Sequence, residues 1–596
     1  MKKTKLQNAL RGLTNAIARF PLTSVFLIGA AVVNAIDIEG NGDYSKYLLT
    51  LIVGAILGAV AQVVFERFYQ GNYQRIGLNG GAALLTVCYY LTIMPLPELS
   101  IEASLRTWVA LFAFLIAFIW VPAVKNRTSF NESFMVAFKA FFISLFFAVI
   151  IFAGTGIIMA ATNELLFEVH SEAYSHAANI IFILFAPIYF LSLIPVYYGK
   201  ADENLAEESL ESKEDQINKM SNCPKYLEIL ISYIIIPLTA VFTLILAVYI
   251  AINIGGDFWR DNLLEPMIIS YSITVIIIYI LASRLENRFA RMFRQIFPKV
   301  LVPIVIFQTV ASILKIGDTG MTYTRYYAII FGIFAIASGI LFSILPVRKN
   351  GIVAAILIAI SVISIVPPVD AFTVSRINQT EVLRDTLIKN NMLDNDQIKP
   401  NPDISTEDRD KIVQALEYLN RMDYIGKIPF LPSGFNYYSD FEKVFGFSMY
   451  GPQGGLTKFA YLRLEDKALL DIAGYDALSE TAVIISRNNG ENEVIGTISK
   501  AGKDFTLKKT NSDEDCIISL VDENNREALN FSTRKIFEKF EDGSNGLKEI
   551  ISLEEATFSE ENDNAVITVI IKSLNLEISA ERSYYAADIF ILVKIK

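Results

Sequence analysis

Three small groups of residues in this sequence have the types that chemistry needs. The segment DIEGNGDYSKY brings Asp37, Glu39 and Asp43 together. Grouped carboxylates act as a general base or hold a metal, so Asp37 and Asp43 are the candidates for catalysis if this chain is an enzyme. Farther on, Glu164, Glu168, Glu172 and His176 recur every four residues. On one helix they would share a face, and Glu168, Glu172 and His176 form a weak metal-ligand set. The plainer reading of that stripe is the wet side of an interfacial helix. The third group is KIGDTGMTYTRYY, from Lys315 to Tyr327, with two cations, a Gly-Asp-Thr-Gly turn and three tyrosines. Lys315, Arg325 and Tyr326 are the candidates for holding an anionic headgroup. A guanidinium binds phosphate or carboxylate with two parallel hydrogen bonds, and tyrosines settle at headgroup depth. The plainer reading here is an aromatic belt flanked by cations whose long stems reach water.

The elements that must position these groups are membrane helices. Hydrophobic residues make up 53% of the 596 residues, and only 19% are charged. About 20 apolar residues cross the hydrocarbon core as a helix, the form that satisfies its own backbone in lipid. Eleven runs of that kind are legible: 21–38, 47–65, 82–96, 107–124, 140–162, 180–198, 229–254, 267–283, 300–316, 326–345 and 352–369. Ahead of them, residues 1–20 read as a basic amphipathic helix lying on the membrane surface, with Leu6, Leu10, Leu13, Ile17 and Phe20 on one stripe. No cleavable signal peptide is apparent. Residues 21–375 read as the polytopic domain, with a polar linker at 199–228.

Charge sets the expected orientation. With the N-terminus inside, the inner loops hold 21 Lys and Arg, including the run RLENRFARMFRQIFPK, against five in the outer loops. Cytoplasmic loops carry that excess. Eleven crossings from an inside start leave residues 376–596 outside the cytoplasm, and the loop at Lys315–Tyr327 with them. Among the polar features of the spans, Gly54 and Gly58 form a GxxxG that reads as a close helix contact. Gly154, Gly156 and Pro187 are places where a helix is expected to break. No Asp, Glu or Arg falls near a span's centre, which weakens a proton-relay transporter.

The segment from 376 to 596 is different. It holds 26 cations and 38 acids, so it is acidic, which argues against nucleic acid as a partner. It starts with helices at Thr380–Asn391 and Thr406–Arg421, where Ser405 and Asp408 resemble a capping box. Strands follow: TKFAYLRL, ALLDIAG, TAVIISR, EVIGTIS, DFTLKK, CIISLV, AVITVIIK, LNLEIS and DIFILVKI. Asn488-Asn489-Gly490 reads as a hairpin turn, and STRKIFEKFED as an interrupting helix. This α+β domain, rich in antiparallel strands, has no histidine, because the chain's two are His170 and His176. Histidine-dependent hydrolysis is therefore outside its chemistry. No cofactor is implied by any motif.

The residues GMTYTRYY after a span ending in a cation, the segment NELLFEVHSEAYSHAANIIFILFAPIYFLSLIP and the stretch TLIKNNMLDNDQIKPNPDISTEDRDKIVQALEYLNRM resemble an uncharacterised bacterial membrane family, domain-of-unknown-function family 4153. The resemblance implies a polytopic bundle with an outer domain, and no activity. The preferred expectation is a bacterial cytoplasmic-membrane protein without catalysis of its own. Its outer domain would bind an envelope ligand or protein partner and pack on the bundle, which sits in the lipid bilayer. A permease and a glycosyltransferase using a lipid-linked sugar remain the alternatives.

Overall fold

The computed structural model describes residues 2–596 except 41, 96–98, 204–206, 254–263, 450–457, 466–467, 486–491, 513–514, 542–549 and 579–582. The hairpin expected at Asn488-Asn489-Gly490 lies outside the described residues. The chain divides into two compact units. One holds Met1–Leu383 with Gln414–Ile425, and the other holds Arg384–Val413 with Gly426–Lys596.

The first unit is helical. In order it contains α1 (Lys2–Arg19), α2 (Pro21–Glu39), α3 (Ser45–Phe68), α4 (Asn72–Ile93), α5 (Ile101–Trp120), α6 (Phe130–Leu165), α7 (Ser171–Ala178) and α8 (Ala186–Ser192). It continues through α9 (Glu207–Ser221), α10 (Lys225–Ile229), α11 (Ile236–Asn253), α12 (Leu264–Leu281), α13 (Arg288–Leu314), α14 (Ile316–Thr319), α15 (Tyr323–Ile344) and α16 (Gly351–Ile363). The starts obey local chemistry. Ser129 and Glu132 cap α6 reciprocally, Asn287 Oδ1 accepts the Ala290 N–H at the head of α13, and Thr322 Oγ1 accepts the Arg325 N–H at the head of α15.

Ten helical segments among the described residues are long and apolar enough to cross a membrane. The expected eleventh run is not one of them. It forms α16 of 13 residues, about 20 Å of helix against about 30 Å of hydrocarbon. The chain still travels the length of α5 there. Asn350 at the head of α16 donates to Asn131 Oδ1 at 3.1 Å, and Gly351 lies against the Trp120 end of α5. Ile365 and Asp370 meet Arg106, near the opposite end of α5. The passage is a short helix finished by a non-helical segment.

Glycine contacts set two of the helix pairings. A Cβ at Gly54 would meet the Phe26 ring at 2.9 Å, and one at Gly58 would meet Thr23 N at 3.0 Å, so α2 and α3 approach closely. Gly332 and Gly339 likewise bring α15 against Thr309, Pro298 and Val302 of α13. Gly154 and Gly156, expected to break a helix, lie inside an unbroken α6 with open space around them. Pro187 does mark a change. A π-segment, Asn179–Phe185, precedes it, and a second one, Leu230–Ile235, precedes Pro237. In α1 the last turn is fixed by Arg19, which pairs with both Glu66 oxygens at 2.7 Å.

Two helices, α17 (Ala371–Lys389) and α18 (Thr406–Arg421), contain the boundary between the units. The first begins nine residues earlier than the sequence suggested, because Asp370 caps it. Ser405 Oγ accepts the Asp408 N–H, yet the Asp408 carboxylate turns to Lys389 Nζ at 2.8 Å and Asn390 Nδ2 at 3.1 Å, so the reciprocal box does not form.

The second unit is built on two sheets. A six-stranded sheet runs β4-β12-β11-β3-β9, with β10 also on β11, and a four-stranded antiparallel sheet runs β5-β6-β7-β8. Their ranges are β3 (Lys458–Leu464), β4 (Ala477–Ile485), β5 (Asn492–Lys500), β6 (Lys503–Asn511), β7 (Cys516–Asp522), β8 (Glu527–Ser532), β9 (Ile550–Ile551), β10 (Thr557–Glu561), β11 (Ala565–Ile578) and β12 (Ser583–Ile595). The short pair β1 (Leu393–Asp394) and β2 (Gln397–Ile398) precedes them. Pairing is antiparallel except between β3 and β9. Two expected strands, AVITVIIK and LNLEIS, are one strand, β11, with a bulge between Ile571 and Ser573. ALLDIAG forms no strand; it ends in a turn at Gly474, φ +86°. Alternating residues such as Ile589, Ile591 and Val593 are buried in the same core as Ile536 and Phe537 of the helix Arg534–Glu541.

Gly58→Leu should lower the melting temperature of the purified protein, by an overpacking cost of about 1–3 kcal/mol. Gly77→Leu, where a Cβ meets nothing within 4 Å, should not. A second expectation concerns Asp408. Burial works to raise its pKa, but the bonds from Lys389, Asn390 and Ser405 outweigh it, and the carboxyl titrates below the ordinary aspartate value. A depressed folded pKa gives stability that is present above about pH 4 and is lost as pH falls through the folded value. Melts followed between pH 5 and 2.5 should show this loss in the wild type, and Asp408→Asn should flatten it.

Candidate functional site

Asp370 is the buried charge at the centre of a polar cluster in the first unit. It follows the last apolar passage and precedes α17. Its Oδ1 accepts the N–H groups of Phe372 at 3.0 Å and Thr373 at 3.1 Å, which is helix N-capping. The same oxygen accepts Arg106 Nη2 at 2.7 Å, and the Asp370 side chain is fully buried. Arg106 comes from the first turns of α5, whose start is capped by Ser100 Oγ. It also donates to Ile365 O at 2.9 Å and lies 5.3 Å over the Phe372 ring. One turn earlier, Glu102 pairs with Arg106 at 2.7 Å. The other Glu102 oxygen accepts the Tyr424 hydroxyl at 2.7 Å. Burial and the Glu102 carboxylate both hold the Tyr424 phenol well above its ordinary pKa. The chain Tyr424–Glu102–Arg106–Asp370 therefore joins α5, the end of the last passage and the segment after α18 within one unit. Arg106 Nε and Asp370 Oδ2 are buried with no hydrogen-bond partner.

The loop Lys315–Tyr327 is bound to the same α17. Gly320 has φ +73°, and a Cβ there would strike Gln379 Nε2 at 2.6 Å. Gln379 Nε2 donates to Thr319 O and Met321 O, and Asn378 Oδ1 accepts the Met321 N–H. Arg325 is only 8% exposed. Its Nη1 donates to Thr319 Oγ1 at 2.7 Å and Gly320 O at 2.5 Å, with a longer approach to Lys315 O at 3.4 Å. The tyrosines also find partners in the protein. The Tyr326 hydroxyl donates to Val369 O at 2.6 Å, and that of Tyr327 approaches Ser364 O at 3.5 Å. Tyr323 lies 5.8 Å from Phe372, and its N–H donates to the Tyr418 hydroxyl, which donates to Ser375 Oγ. Lys315 follows α13 as its C-terminal cap residue. Arg325 thus closes this loop on itself and Tyr326 holds Val369, while Asn378 and Gln379 tie the loop to α17.

Among the other sequence candidates, Asp37, Asp43 and His176 have partners of their own. Asp43 accepts the Ser45 N–H at 2.9 Å at the head of α3. The Ser45 hydroxyl and N–H hold its pKa below the ordinary carboxylate value. Asp37 Oδ1 approaches the Tyr44 N–H at 3.4 Å. Both carboxylates organise a hairpin. The four-residue stripe is broken, because α6 ends at Leu165 and α7 starts at Ser171, so Glu164 and Glu168 do not share a helix with Glu172 and His176. His176 Nε2 instead meets Glu39 Oε1 at 2.7 Å. Among the described residues no three of His, Cys, Asp and Glu are grouped to hold a metal, which corrects the set Glu168, Glu172, His176.

Sequence reasoning missed Arg106 and Asp370 as a pair, 264 residues apart. A signal existed: each is a charge at the edge of an apolar run, which rarely stays unpaired.

The family model described as Domain of unknown function (DUF4153) matches residues 22–401, more than half of the chain, from the second residue of α2 to beyond α17. No curated protein and no solved structure matches.

Removing Arg106 strands the Asp370 carboxylate. Arg106→Leu should destabilise the protein by about 3 kcal/mol, less than a fully buried pair because Arg106 keeps some exposure. Asp370→Asn should cost less, since the cap remains. Denaturant melts of the single and double variants should show strong coupling; additive losses would mean the two groups act separately.

Proposed function

Because this chain belongs to the DUF4153 family, which has no assigned activity, we propose a function from its own geometry. It is a bacterial cytoplasmic-membrane protein without catalysis of its own. Its N-terminus is cytoplasmic, and its β-rich unit lies outside the cytoplasm, where it binds an envelope ligand or a protein partner. The membrane unit anchors or relays that event.

The observation that carries this reading is the cluster around Asp370. Helix α17 starts at a buried carboxylate held by Arg106 of α5, and further along it enters the second unit at Arg384. A force on that helix arrives at the Arg106–Asp370 pair, whose partner Glu102 reports to Tyr424 after α18. Orientation is supported by the excess of cations on one set of loops. It is also supported by the last passage, which runs along α5 from its Trp120 end to Arg106 and so keeps an odd number of traverses. The second unit contains no histidine, and its one cysteine, Cys516, is buried with its thiol pushed up to about 11 by that burial, so it is a poor nucleophile.

A permease is the second reading, and one observation favours it. The two π-segments, Asn179–Phe185 and Leu230–Ile235, widen the helices that border the polar linker. Wide turns of this kind recur at functional sites. Asn179 adds a buried Oδ1 without a partner.

A cysteine introduced at Asp396, in a chain whose native cysteines are replaced, should react with a membrane-impermeant maleimide on intact cells. One at Glu211 of α9 should react only after permeabilisation. The reverse pattern would overturn the orientation. For the relay, hydrogen exchange in Asp370→Asn should rise along α17 as far as Lys389 and in α18. A rise confined to the first turn of α17 would defeat it.

A further inference from the structure

The run RLENRFARMFRQIFPK divides its cations between two tasks. Arg284 donates to Glu132, Ser221 and Asn218. Arg294 turns inward and donates to the carbonyls of Ala282 and Leu285. Arg288, Arg291 and Lys299 face outward. At about 100° per residue they make one edge of the exposed face of α13, and Phe289, Met292 and Ile296 make the adjoining edge. All three apolar side chains are more than a third exposed. The face continues onto the next helix, where the Tyr233 ring meets Phe289 edge-on at 5.5 Å. Tyr226 and Ile229 extend it, and Lys225 adds a cation beside them. The acids within reach are few. Glu228 accepts Asn287 Nδ2 at 3.0 Å, and Glu286 is exposed, with its backbone carbonyl accepting Arg291.

Depth follows from helix geometry. The 27 residues of α13 run about 40 Å. Taking about 30 Å of hydrocarbon back from Leu314 brings its edge near Ile296. Residues Arg288 to Gln295 then stand at headgroup level, with Ile296 at the start of the acyl region and Lys299 reaching back along its stem. Cations at phosphate depth beside aromatic and aliphatic surface at acyl depth match one kind of molecule, an amphiphile with a negative head.

We propose that the exposed face of Arg288–Lys299, together with Tyr226, Ile229 and Tyr233, binds an anionic glycerophospholipid, its phosphate on Arg288 and Arg291 and its chains along Phe289, Met292 and Ile296. This site is at the opposite end of α13 from Lys315 and the loop that holds Arg325. It does not depend on which side of the membrane that end faces.

The test uses the full-length protein in detergent with equal amounts of phosphatidylglycerol and phosphatidylcholine, retained lipid being counted by native mass spectrometry at low salt. Wild type should retain phosphatidylglycerol preferentially. Arg288→Gln with Arg291→Gln should reduce that preference roughly thirtyfold, from the usual contribution of two surface cations. Arg288→Lys with Arg291→Lys should keep most of it, which also shows that the region folds. Arg348→Gln with Lys349→Gln, exposed cations elsewhere, should leave it unchanged. The proposal fails if the Gln pair retains the preference, if the Arg348 and Lys349 pair abolishes it equally, or if millimolar inorganic phosphate displaces the lipid.

Discussion

A carboxylate removed from water must be met by donors, and the arrangement around Asp370 is how this protein meets that demand. Three donors converge on one oxygen: two backbone N–H groups and Arg106. The two N–H groups are the unpaired ones at the start of α17, so the carboxylate solves a problem for the helix as the helix solves one for the carboxylate. Arg106 then fixes where that helix starts relative to α5. Ile365 O on Arg106, and Val369 O on Tyr326, hold the non-helical stretch after α16 on either side of the pair. Outside a helix, those carbonyls are met by side-chain donors instead.

The same constraint accounts for the loop between α13 and α15. Met321 N and the carbonyls of Thr319, Gly320 and Met321 are bonded by side chains: Asn378, Gln379 and Arg325. A cation at the head of an apolar helix reads in sequence as a residue reaching for headgroups. In the fold it closes a turn, because the groups at the end of α14 lie within its reach and need donors. The exposed cations belong to the other end of α13, where Arg288 and Arg291 stand beside aromatic surface.

Packing within the helices depends on where side chains are absent. Gly54 and Gly58 let α2 rest on α3, and Gly332 and Gly339 do the same for α13 and α15. The first pair was legible as a GxxxG. The second, spaced by seven, was not, since a glycine's partner is chosen by a distant helix. Gly154 and Gly156 show the converse: with no neighbour and with helical flanks, they leave α6 intact. The wide turns before Pro187 and Pro237 follow from a ring that lacks an N–H and crowds the preceding turn.

Much was readable from the residues alone. Runs of apolar side chains determined ten spanning helices, because length and hydropathy are properties of a segment. Alternation determined most strands of the second unit for the same reason. Family resemblance also stood on short local motifs and agrees with the match over residues 22–401. What the chain could not declare locally was any pairing. That α16 is too short yet travels the length of α5, that two strands fuse into β11, that His176 faces Glu39 rather than its helical neighbours, and that Asp370 takes Arg106 were decided only when distant segments met. Hydrophobic burial is additive along a sequence, whereas a hydrogen bond or ion pair exists only between two groups brought to about 3 Å, and no spacing in one segment records where the other will be.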